Sequence, residues 1–448
     1  MKKILTIISI VSIFFFFIAF DGKKETERSF ETFKHQQEIF YSFPVVNNGE
    51  PLRTGEKKYA DDHILVKFKE KVNIQSFMDS MRSMGLREIR KIERLDVYVM
   101  SIPEGSHPEE ICNVLNTHPD VLYAEPDYIA YACARPNDYY FTYQYYILNE
   151  GQNYCPPLNR IGKAGADIKV TDAWDREKGS PNIIIAIVDT GVYLQHEDLK
   201  GKIIGGFDFV NNDSDPSDDH WHGTHVAGIA AAETDNGIGI AGVGWNAKIM
   251  PIKVLDSTGS GYYSWIADGI EWAVDRGAKV INLSLGGESS SFVLEEAVNY
   301  AFSKGALCVA ATGNDRDKRV LYPAAYKNCL AVGATNDKDM DSGWHSKGPE
   351  VDVSAPGEYI FSTFNPKYQN SNANYAWASG TSMATPIVSG IVALIFSKNP
   401  SISPKDLMNL IKYTCDDVNS STFRGVDEFL GYGRVNAKTA ILPYRLKK

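Results

Sequence analysis

The sequence predicts an α/β fold, a parallel sheet with helices on both faces, preceded by a small ferredoxin-like α+β domain. The first observation is that strand-like and helix-like segments alternate from Ile183 onward, as they do where helices join parallel strands. The second is an earlier stretch, residues 61–131, whose segments follow the order strand, helix, strand, strand, helix, strand. A chain of 448 residues is long enough for two such domains.

The first 21 residues have the pattern of an export signal, because Lys2 and Lys3 precede an uncharged apolar run over residues 4–20. This run is close to the lower limit for spanning a bilayer. An uncleaved anchor that leaves the rest of the chain outside the cell is therefore the alternative. Residues 22–60 are polar and lack strong periodicity, so we interpret them as a linker.

Residues 61–131 form the first predicted folded unit. Its recognisable segments are, in order, a strand at 63–68, a helix near 74–84, a strand around 97–102, a helix around 108–117 and a strand at 121–125. An extended linker over residues 128–136 separates this unit from the larger one, which we place at 135–448.

Composition narrows the possible functions. The net charge is −10 and the sequence has no basic stripe, which argues against nucleic-acid binding. Six cysteines are too few for a disulfide scaffold in a chain of this size. Cys308 and Cys329 lie in apolar runs and are expected in the core. Cys133 and Cys155 flank a loop-rich segment and are the candidate disulfide.

Three polar residues stand at the ends of apolar segments. Asp189 ends the β-branched run 183–188, at the edge of a parallel sheet where ligands and catalytic groups gather. His222 begins a predicted helix of small residues. Ser382 precedes the apolar run 387–396, so its oxygen would lie in the positive field of a helix N-terminus. For the serine alone, an ordinary helix cap is the alternative.

His225 could be mistaken for a metal ligand. It lies three residues after His222, and two histidines at this spacing on a helix could share a metal. No glutamate or third ligand accompanies them in the spacing of a metalloprotease. We therefore interpret His225 as a buried, hydrogen-bonded histidine.

Aspartate, histidine and serine occur in this order, about 30 and then about 160 residues apart, which is one known order of the serine-protease triad. Together with their surrounding motifs they resemble the subtilisin-like serine proteases, and most closely the thermitase-like branch. The resemblance covers roughly Arg135 to the C-terminus; its motifs are Asp189-Thr190-Gly191, His222-Gly223-Thr224-His225 and Gly380-Thr381-Ser382-Met383-Ala384. The α/β-hydrolase order requires a Gly-x-Ser-x-Gly motif, which Ser382 lacks.

The resemblance implies a role for each residue. Ser382 would attack the peptide carbonyl, His222 would take the serine proton, and Asp189 would orient the histidine. Asn314 follows the predicted strand 305–311 and would donate its side-chain amide to the oxyanion, together with the backbone N–H of Ser382. Without the triad, an asparagine after a glycine would be interpreted as a turn residue.

The resemblance also implies how a peptide substrate binds. It would add as an extra β-strand between two segments, and main-chain hydrogen bonds would hold it; simple turns are the alternative explanation of the glycines there. These segments contain no acidic residue, so we expect an apolar or aromatic residue at P1, the position before the scissile bond. By the resemblance, Leu321 would lie near the start of the floor of the S1 pocket, which receives the P1 side chain. The predicted substrate-binding residues are Gly259, Ser260, Gly261, Ser284, Leu285 and Gly286.

Calcium is the cofactor that the resemblance implies, and oxygen ligands of the predicted kind suit it. The first site would use the side chains of Asp138, Asp198 and Asn236 and the carbonyls of Glu233, Ile238 and Ile240. The second would use Asp208, Asn211, Asp213 and Asp215. A solvated acidic loop is the alternative for each.

The sequence therefore predicts a secreted, calcium-stabilised serine endopeptidase. By resemblance, residues 61–131 would be an inhibitory propeptide that the enzyme removes itself, and residues 135–448 the subtilisin-like peptidase domain; an independent accessory domain is the alternative for the first unit. The expected partners are protein or peptide substrates and the propeptide, with no nucleic acid, and the enzyme is expected to be a monomer. A peptide-binding relative without activity would lack a triad or oxyanion residue, and none is missing. A protease confined to one partner would show an acidic S1 pocket or a large added domain, and neither is recognised.

Overall fold

A computed structural model describes residues 59–69, 74–83, 85–128 and 135–442. The predicted export signal and nearly all of the predicted linker lie outside the described residues. So does Cys133, and with it the candidate disulfide to Cys155. The boundaries of the predicted domains stay predictions.

The N-terminal unit is a four-stranded antiparallel sheet with two helices. The strand order is β2-β3-β1-β4, which confirms the predicted ferredoxin-like arrangement. Strand β2 was not located by the sequence pattern, because it is a charged and largely exposed edge strand. The elements are β1 (Tyr59–Phe68), α1 (Ile74–Ser83), β2 (Arg87–Ile92), β3 (Val97–Ser101), α2 (Pro108–Leu115) and β4 (Val121–Tyr128).

The larger unit is built on a seven-stranded parallel sheet, as predicted. Its order along the sheet is β13-β12-β11-β10-β7-β9-β8, and neighbouring strands pair in parallel throughout. Its elements are β5 (Asn153–Cys155), β6 (Arg160–Ile161), α3 (Val170–Trp174), β7 (Ile184–Asp189), β8 (Phe207–Asp208), α4 (His222–Ala231), β9 (Lys248–Lys253), α5 (Tyr263–Asp275), β10 (Val280–Leu283), α6 (Phe292–Ser303), β11 (Leu307–Ala311), β12 (Cys329–Thr335), β13 (Val353–Pro356), β14 (Ile360–Thr363), β15 (Tyr375–Ala378), α7 (Thr381–Lys398), α8 (Pro404–Tyr413) and α9 (Ala437–Ile441).

Helices cover both faces of this sheet, which confirms the predicted fold class. Along β7 the side chains alternate: Ile185 and Ile187 enter the core that contains α4 and α7, whereas Ala186 and Val188 enter the core that contains α5 and α6. A strand buried on both faces has no exposed polar positions. This explains why the sequence of β7 is apolar up to Asp189.

Helix α7 connects the core to the carboxyl edge of the sheet. It contacts α4 and the strands β10 to β13. Within the described ranges it is the one helix that is long and apolar enough to cross a membrane, but 89% of its apolar window is buried inside the protein. The helix begins at Thr381, so Ser382 is the second residue of a long, firmly packed element.

Candidate active site

The residues of interest gather at the carboxyl edge of the parallel sheet. Asp189 ends β7, Ser284 follows β10, and Asn314 follows β11. These three strands are neighbours in the order β11-β10-β7. Their ends therefore meet at one edge, which is where catalytic groups of α/β sheets are found.

Asp189 and His222 are in direct contact. The distance from His222 Nδ1 to Asp189 Oδ1 is 2.7 Å, and both side chains are buried. A carboxylate can only accept, so Nδ1 carries the hydrogen and Nε2 is left with the lone pair that a base needs. The same Asp189 oxygen accepts the Thr190 N–H at 2.7 Å, which fixes the carboxylate at the end of its strand.

Ser382 is held at the start of α7 by a reciprocal pair of hydrogen bonds. Its hydroxyl donates to the Ser284 carbonyl at 3.1 Å, and the Ser284 hydroxyl donates to the Ser382 carbonyl at 2.8 Å. In the first turn of a helix, backbone N–H groups have no intrahelical acceptor. The Ser382 N–H therefore lies where it could stabilise negative charge beside its own side chain.

Asn314 is oriented by Thr381. Its side-chain oxygen accepts both the backbone N–H and the hydroxyl of Thr381, each at 2.9 Å. Because two donors occupy the oxygen, the amide orientation is fixed and Nδ2 is left to donate. Nδ2 lies 3.4 Å from the place that a Cβ on Gly380 would take. The arrangement puts an amide donor next to the start of α7, as an oxyanion site requires.

A buried carboxylate that the sequence pattern did not identify supports the histidine. Asp218 accepts hydrogen bonds from the Thr190 hydroxyl (2.9 Å), the His220 N–H (2.9 Å) and the Thr224 hydroxyl. Its burial raises the pKa of this carboxyl to about 6. The Thr190 oxygen in turn accepts the Gly223 N–H at 2.9 Å, so the network links the end of β7 to the start of α4.

The sequence around Asp218 is acidic, but this pattern does not distinguish a buried carboxylate from an exposed one. It belongs to the acidic stretch 208–219, which the sequence interpretation assigned to metal binding or to a solvated loop. The sequence pattern does not show which of several neighbouring acidic residues is buried in the folded protein.

Strands β14 and β15 pair antiparallel and form a hairpin before α7, and this hairpin also holds the segment around the histidine. Asn365 is buried after β14, and its side-chain amide donates to the carbonyls of Asp218 (2.7 Å) and His220 (2.8 Å). The Phe364 ring stacks on Trp221 with ring centroids 5.7 Å apart. The hairpin therefore holds the segment that immediately precedes His222.

His225 is buried in α4, and its Nε2 lies 3.1 Å from the Ala376 carbonyl, to which it donates. Burial lowers the pKa of this imidazole to about 3. The structure therefore agrees with the interpretation of His225 as a buried, hydrogen-bonded histidine.

The predicted substrate-binding segments follow β9 and β10. In the first, Asp256 closes a turn by accepting the N–H groups of Thr258 (2.8 Å) and Ser260 (3.2 Å), and a Cβ on Gly261 would lie 2.1 Å from the Val254 carbonyl. In the second, Ser284 contacts Ser382 as described above. The predicted residues therefore fall in two places: Gly259, Ser260 and Gly261 lie at the turn after β9, and Ser284, Leu285 and Gly286 follow β10, with Ser284 in contact with the start of α7.

The residues of the first predicted calcium site lie together. The Asn236 amide donates to Asp198 Oδ1 at 2.9 Å, the Ile240 N–H donates to Asp198 Oδ2 at 2.8 Å, and the Asp235 N–H donates to Asp138 Oδ2 at 2.9 Å. Burial raises the pKa of Asp138 to about 6. It raises that of Asp198 to about 8, and the charge of Asp138 adds to this shift. Two close, buried carboxylates offer oxygen ligands of the kind that a hard divalent cation takes.

The residues of the second predicted site mostly form hydrogen bonds within their own loop. Asp208 accepts from the N–H and the side-chain amide of Asn211, and Asp213 and Asp215 each accept an N–H two residues ahead in the loop. Among the described residues, no group of three or more His, Cys, Asp or Glu side chains is placed to hold a metal ion. Both calcium sites stay predictions.

The chain is similar to known proteins over most of its length. Residues 180–433 match the model of the Subtilase family, and residues 48–127 match that of the Fervidolysin N-terminal prodomain. The chain is 40% identical to the Thermophilic serine proteinase of Bacillus sp. (strain AK1) over 86% of this chain and 88% of that protein. It is 46% identical to Thermitase of Thermoactinomyces vulgaris over 61% of this chain and 93% of that protein.

Among solved structures, the chain resembles fervidolysin from Fervidobacterium pennivorans, described as a keratinolytic enzyme related to subtilisin. The TM-score is 0.56 at 27% identity, covering 89% of this chain and 64% of that one. A protease from Pseudoalteromonas arctica PAMC 21717 gives a TM-score of 0.58 at 30% identity, covering 68% of this chain and 98% of that one.

We predict that Asp218→Asn lowers kcat for peptide cleavage more than it changes KM. An asparagine keeps the shape but turns an amide donor toward groups that are themselves donors, so at least one buried hydrogen bond is lost, at a cost of about 1–3 kcal/mol. Steady-state kinetics and the pH profile of kcat test this. The control is Asp427→Asn, which loses the acceptor for the Asn419 side-chain amide, whereas its remaining oxygen can still accept the N–H groups of Phe429 and Leu430. Equal kinetic effects of the two variants would contradict a positioning role for Asp218.

Proposed function

This chain belongs to the subtilase family of serine endopeptidases and carries an N-terminal prodomain, and from this premise we propose that it is a secreted, calcium-stabilised enzyme made as a self-processing zymogen. The observation that carries the proposed chemistry is the arrangement at one sheet edge: Asp189 hydrogen-bonded to His222, and Ser382 at the start of a buried helix beside Asn314. Each residue has a chemical property that acyl transfer needs.

In the proposed mechanism, His222 Nε2 takes the proton from Ser382 Oγ as this oxygen attacks the peptide carbonyl carbon. Asp189 stabilises the resulting imidazolium through Nδ1. The carbonyl oxygen becomes negatively charged and accepts hydrogen bonds from Asn314 Nδ2 and the Ser382 N–H. His222 then protonates the leaving amine, and the same steps with water release the acyl group and restore the serine.

Ser382 must leave its present acceptor for this chemistry. Its hydroxyl now donates to the Ser284 carbonyl, and it would turn toward His222 by a rotation about χ1. Catalytic hydrogen bonds are commonly longer or less well aligned in an enzyme without substrate than in the enzyme–substrate complex. The Ser284 contact therefore keeps the nucleophile in place between reactions.

We predict that Ser382 alone reacts with a fluorophosphonate probe. The purified mature enzyme is labelled, and the adduct is located by peptide mass spectrometry. Ser382→Ala should lose all labelling. Ser389→Ala should keep it, because Ser389 is a buried serine of the same helix that donates to Asn282 at 2.8 Å. An adduct on another serine of an active preparation would overturn the assignment.

The zymogen proposal rests on the prodomain, which precedes the peptidase unit in the chain. The proposal of secretion rests on the two lysines and the apolar run at the N-terminus, with a membrane-anchored enzyme facing outside as the other outcome. The proposed partners are protein or peptide substrates and the prodomain, which would act as an intramolecular inhibitor.

We predict that Ser382→Ala is exported but stays unprocessed. The first bond cut would be the chain's own, and cutting it needs the serine, whereas folding does not. The variant should exceed the mature enzyme by roughly 110 residues, the size of a small domain. Intact-mass measurement of both proteins from a protease-deficient host decides this. Trimming of the variant at the wild-type bond would mean that another protease performs the maturation.

Calcium would be held by Asp138, Asp198 and Asn236 with carbonyls of the 233–240 loop. The ion would neutralise the two buried carboxylates and join the start of the peptidase unit to this loop, which is a structural role. The fit follows from the donor set, because the two carboxylates are buried side by side and offer oxygen ligands. The loop at 208–215 is the second proposed site.

We predict that calcium raises the melting temperature of the active-site-blocked enzyme and that chelation reverses this. Binding to the folded state alone adds about 2.7 kcal/mol at a hundredfold excess over Kd. Asp138→Asn should abolish most of the shift, whereas Asp406→Asn, at an exposed helix start, should leave it intact. A melting temperature that does not respond to calcium in the wild type would refute the first site.

A further inference from the structure

Lys253 is a buried lysine at the carboxyl end of β9, and its side chain is only 1% exposed. Its ammonium donates three hydrogen bonds: to the Thr190 carbonyl (2.9 Å), to the Leu255 carbonyl (2.9 Å) and to Asp219 Oδ1 (2.6 Å). An ammonium group has three donors, so all of them are used. The proposed mechanism gives this lysine no step.

Lys253 stands next to Asp189 in the sheet, because the two residues are register partners on the neighbouring parallel strands β9 and β7. On β7, Ile187 enters the core that contains α4 and α7, and Asp189 is two residues further on. On β9, Ile249 enters the same core, and Lys253 is four residues further on. Side chains two or four residues apart on a strand share a face. The ammonium and the carboxylate therefore lie on the face that carries α4, the helix that begins at His222.

The three acceptors belong to segments that surround the Asp189–His222 pair. Thr190 follows Asp189 and donates its N–H to that carboxylate at 2.7 Å. Leu255 donates its N–H to the Asp189 carbonyl at 3.1 Å. Asp219 lies three residues before His222 on the chain. The ammonium therefore joins the continuations of two neighbouring strands to the segment that leads into α4.

Stability alone does not account for a lysine at this position. Burying an ammonium costs free energy, and well-packed apolar residues in place of a buried ion pair are often neutral or more stable. The Asp219 side chain is 50% exposed, so water can replace the ammonium as its partner. An apolar side chain cannot, however, bond two backbone carbonyls and a carboxylate at once. The contacts therefore indicate that the lysine holds three segments in a fixed arrangement.

We propose that Lys253 is a positioning residue for the catalytic pair of aspartate and histidine. It acts through Thr190, which fixes the carboxylate, and through Asp219, which precedes the histidine on the chain. This inference rests on the proposed function and adds a residue to the same site.

The substrate-binding turn after β9 depends less on this lysine. Asp256 closes that turn by accepting the N–H groups of Thr258 and Ser260, so the turn keeps its shape without the ammonium. Loss of the lysine should therefore lower kcat more than it changes KM.

The experiment compares Lys253→Met with Lys202→Met in the mature enzyme. Lys202 is also buried and donates to the Trp245 carbonyl, but it lies at the opposite end of β9, where its own carbonyl accepts the Ile249 N–H at 3.0 Å. Steady-state kinetics on a chromogenic peptide are measured with calcium in excess and well below each melting temperature. Active sites are counted by titration with a fluorophosphonate.

Lys253→Met should lower kcat by about tenfold to a hundredfold, the scale expected when catalytic groups are misplaced by up to about 1 Å. The change in KM should be much smaller. Lys202→Met should leave kcat per titrated site unchanged, because it removes a buried ammonium that does not contact the catalytic segments.

Two further variants keep the test decisive if Lys253→Met folds poorly. Asp219→Asn changes a half-exposed side chain and removes the ion pair but neither carbonyl contact, so it should lower kcat by less. Lys253→Arg keeps a charged donor and should retain more of the wild-type kcat than Lys253→Met.

The outcomes separate the two proposals. An unchanged kcat in either Lys253→Met or Asp219→Asn would overturn the inference while leaving the proposed function intact. An equal loss of kcat in Lys202→Met would also overturn it, because the effect would then follow from losing any buried ammonium. If the wild type cleaves neither the peptide nor unfolded casein, the proposed function fails and the inference fails with it.

Discussion

The rest of the site depends on one buried hydrogen bond, that between Asp189 and His222. A buried carboxylate must be given hydrogen-bond donors, because an unpaired charge in the interior is costly. Asp189 obtains them from His222 and from the Thr190 N–H. Thr190 is itself held by Asp218, a second buried carboxylate that also binds the start of α4. The catalytic geometry is thus one part of a polar network inside an apolar sheet.

Helix α7 transmits the rigidity of the core to the nucleophile. Its body is buried, so the position of its first turn is set by packing against the sheet. The turn is then pinned at two points, by Ser284 on one side and by Asn314 through Thr381 on the other. Nucleophile and oxyanion donor are therefore attached to each other through Thr381 and do not depend on separate mobile loops.

The sequence was enough to predict the parallel sheet, but not to predict the residues that hold the catalytic residues in place. Strand β7 could be predicted because burial on both faces makes its residues uniformly apolar. Strand β2 could not, because a charged edge strand has no apolar alternation. Asp218 and Asn365 escaped prediction for a related reason: an acid or amide in a loop has the same sequence signal whether it is solvated or buried. The roles given to Asn314 and to the calcium residues came from resemblance, because their contacts join distant parts of the chain.

The proposed maturation and the proposed calcium site meet at the same short segment. Asn137 donates its N–H to Asp235 at 3.1 Å and accepts the Gly237 N–H at 2.7 Å, while Asp138 is a proposed ligand. A cut shortly before Asn137 would create a new chain end beside this loop, and chain ends fray unless they are tied down. A cation shared by Asp138 and Asp198 would supply that tie. In this view the metal matters most after the propeptide is removed, when the peptidase unit must keep its own N-terminus in place.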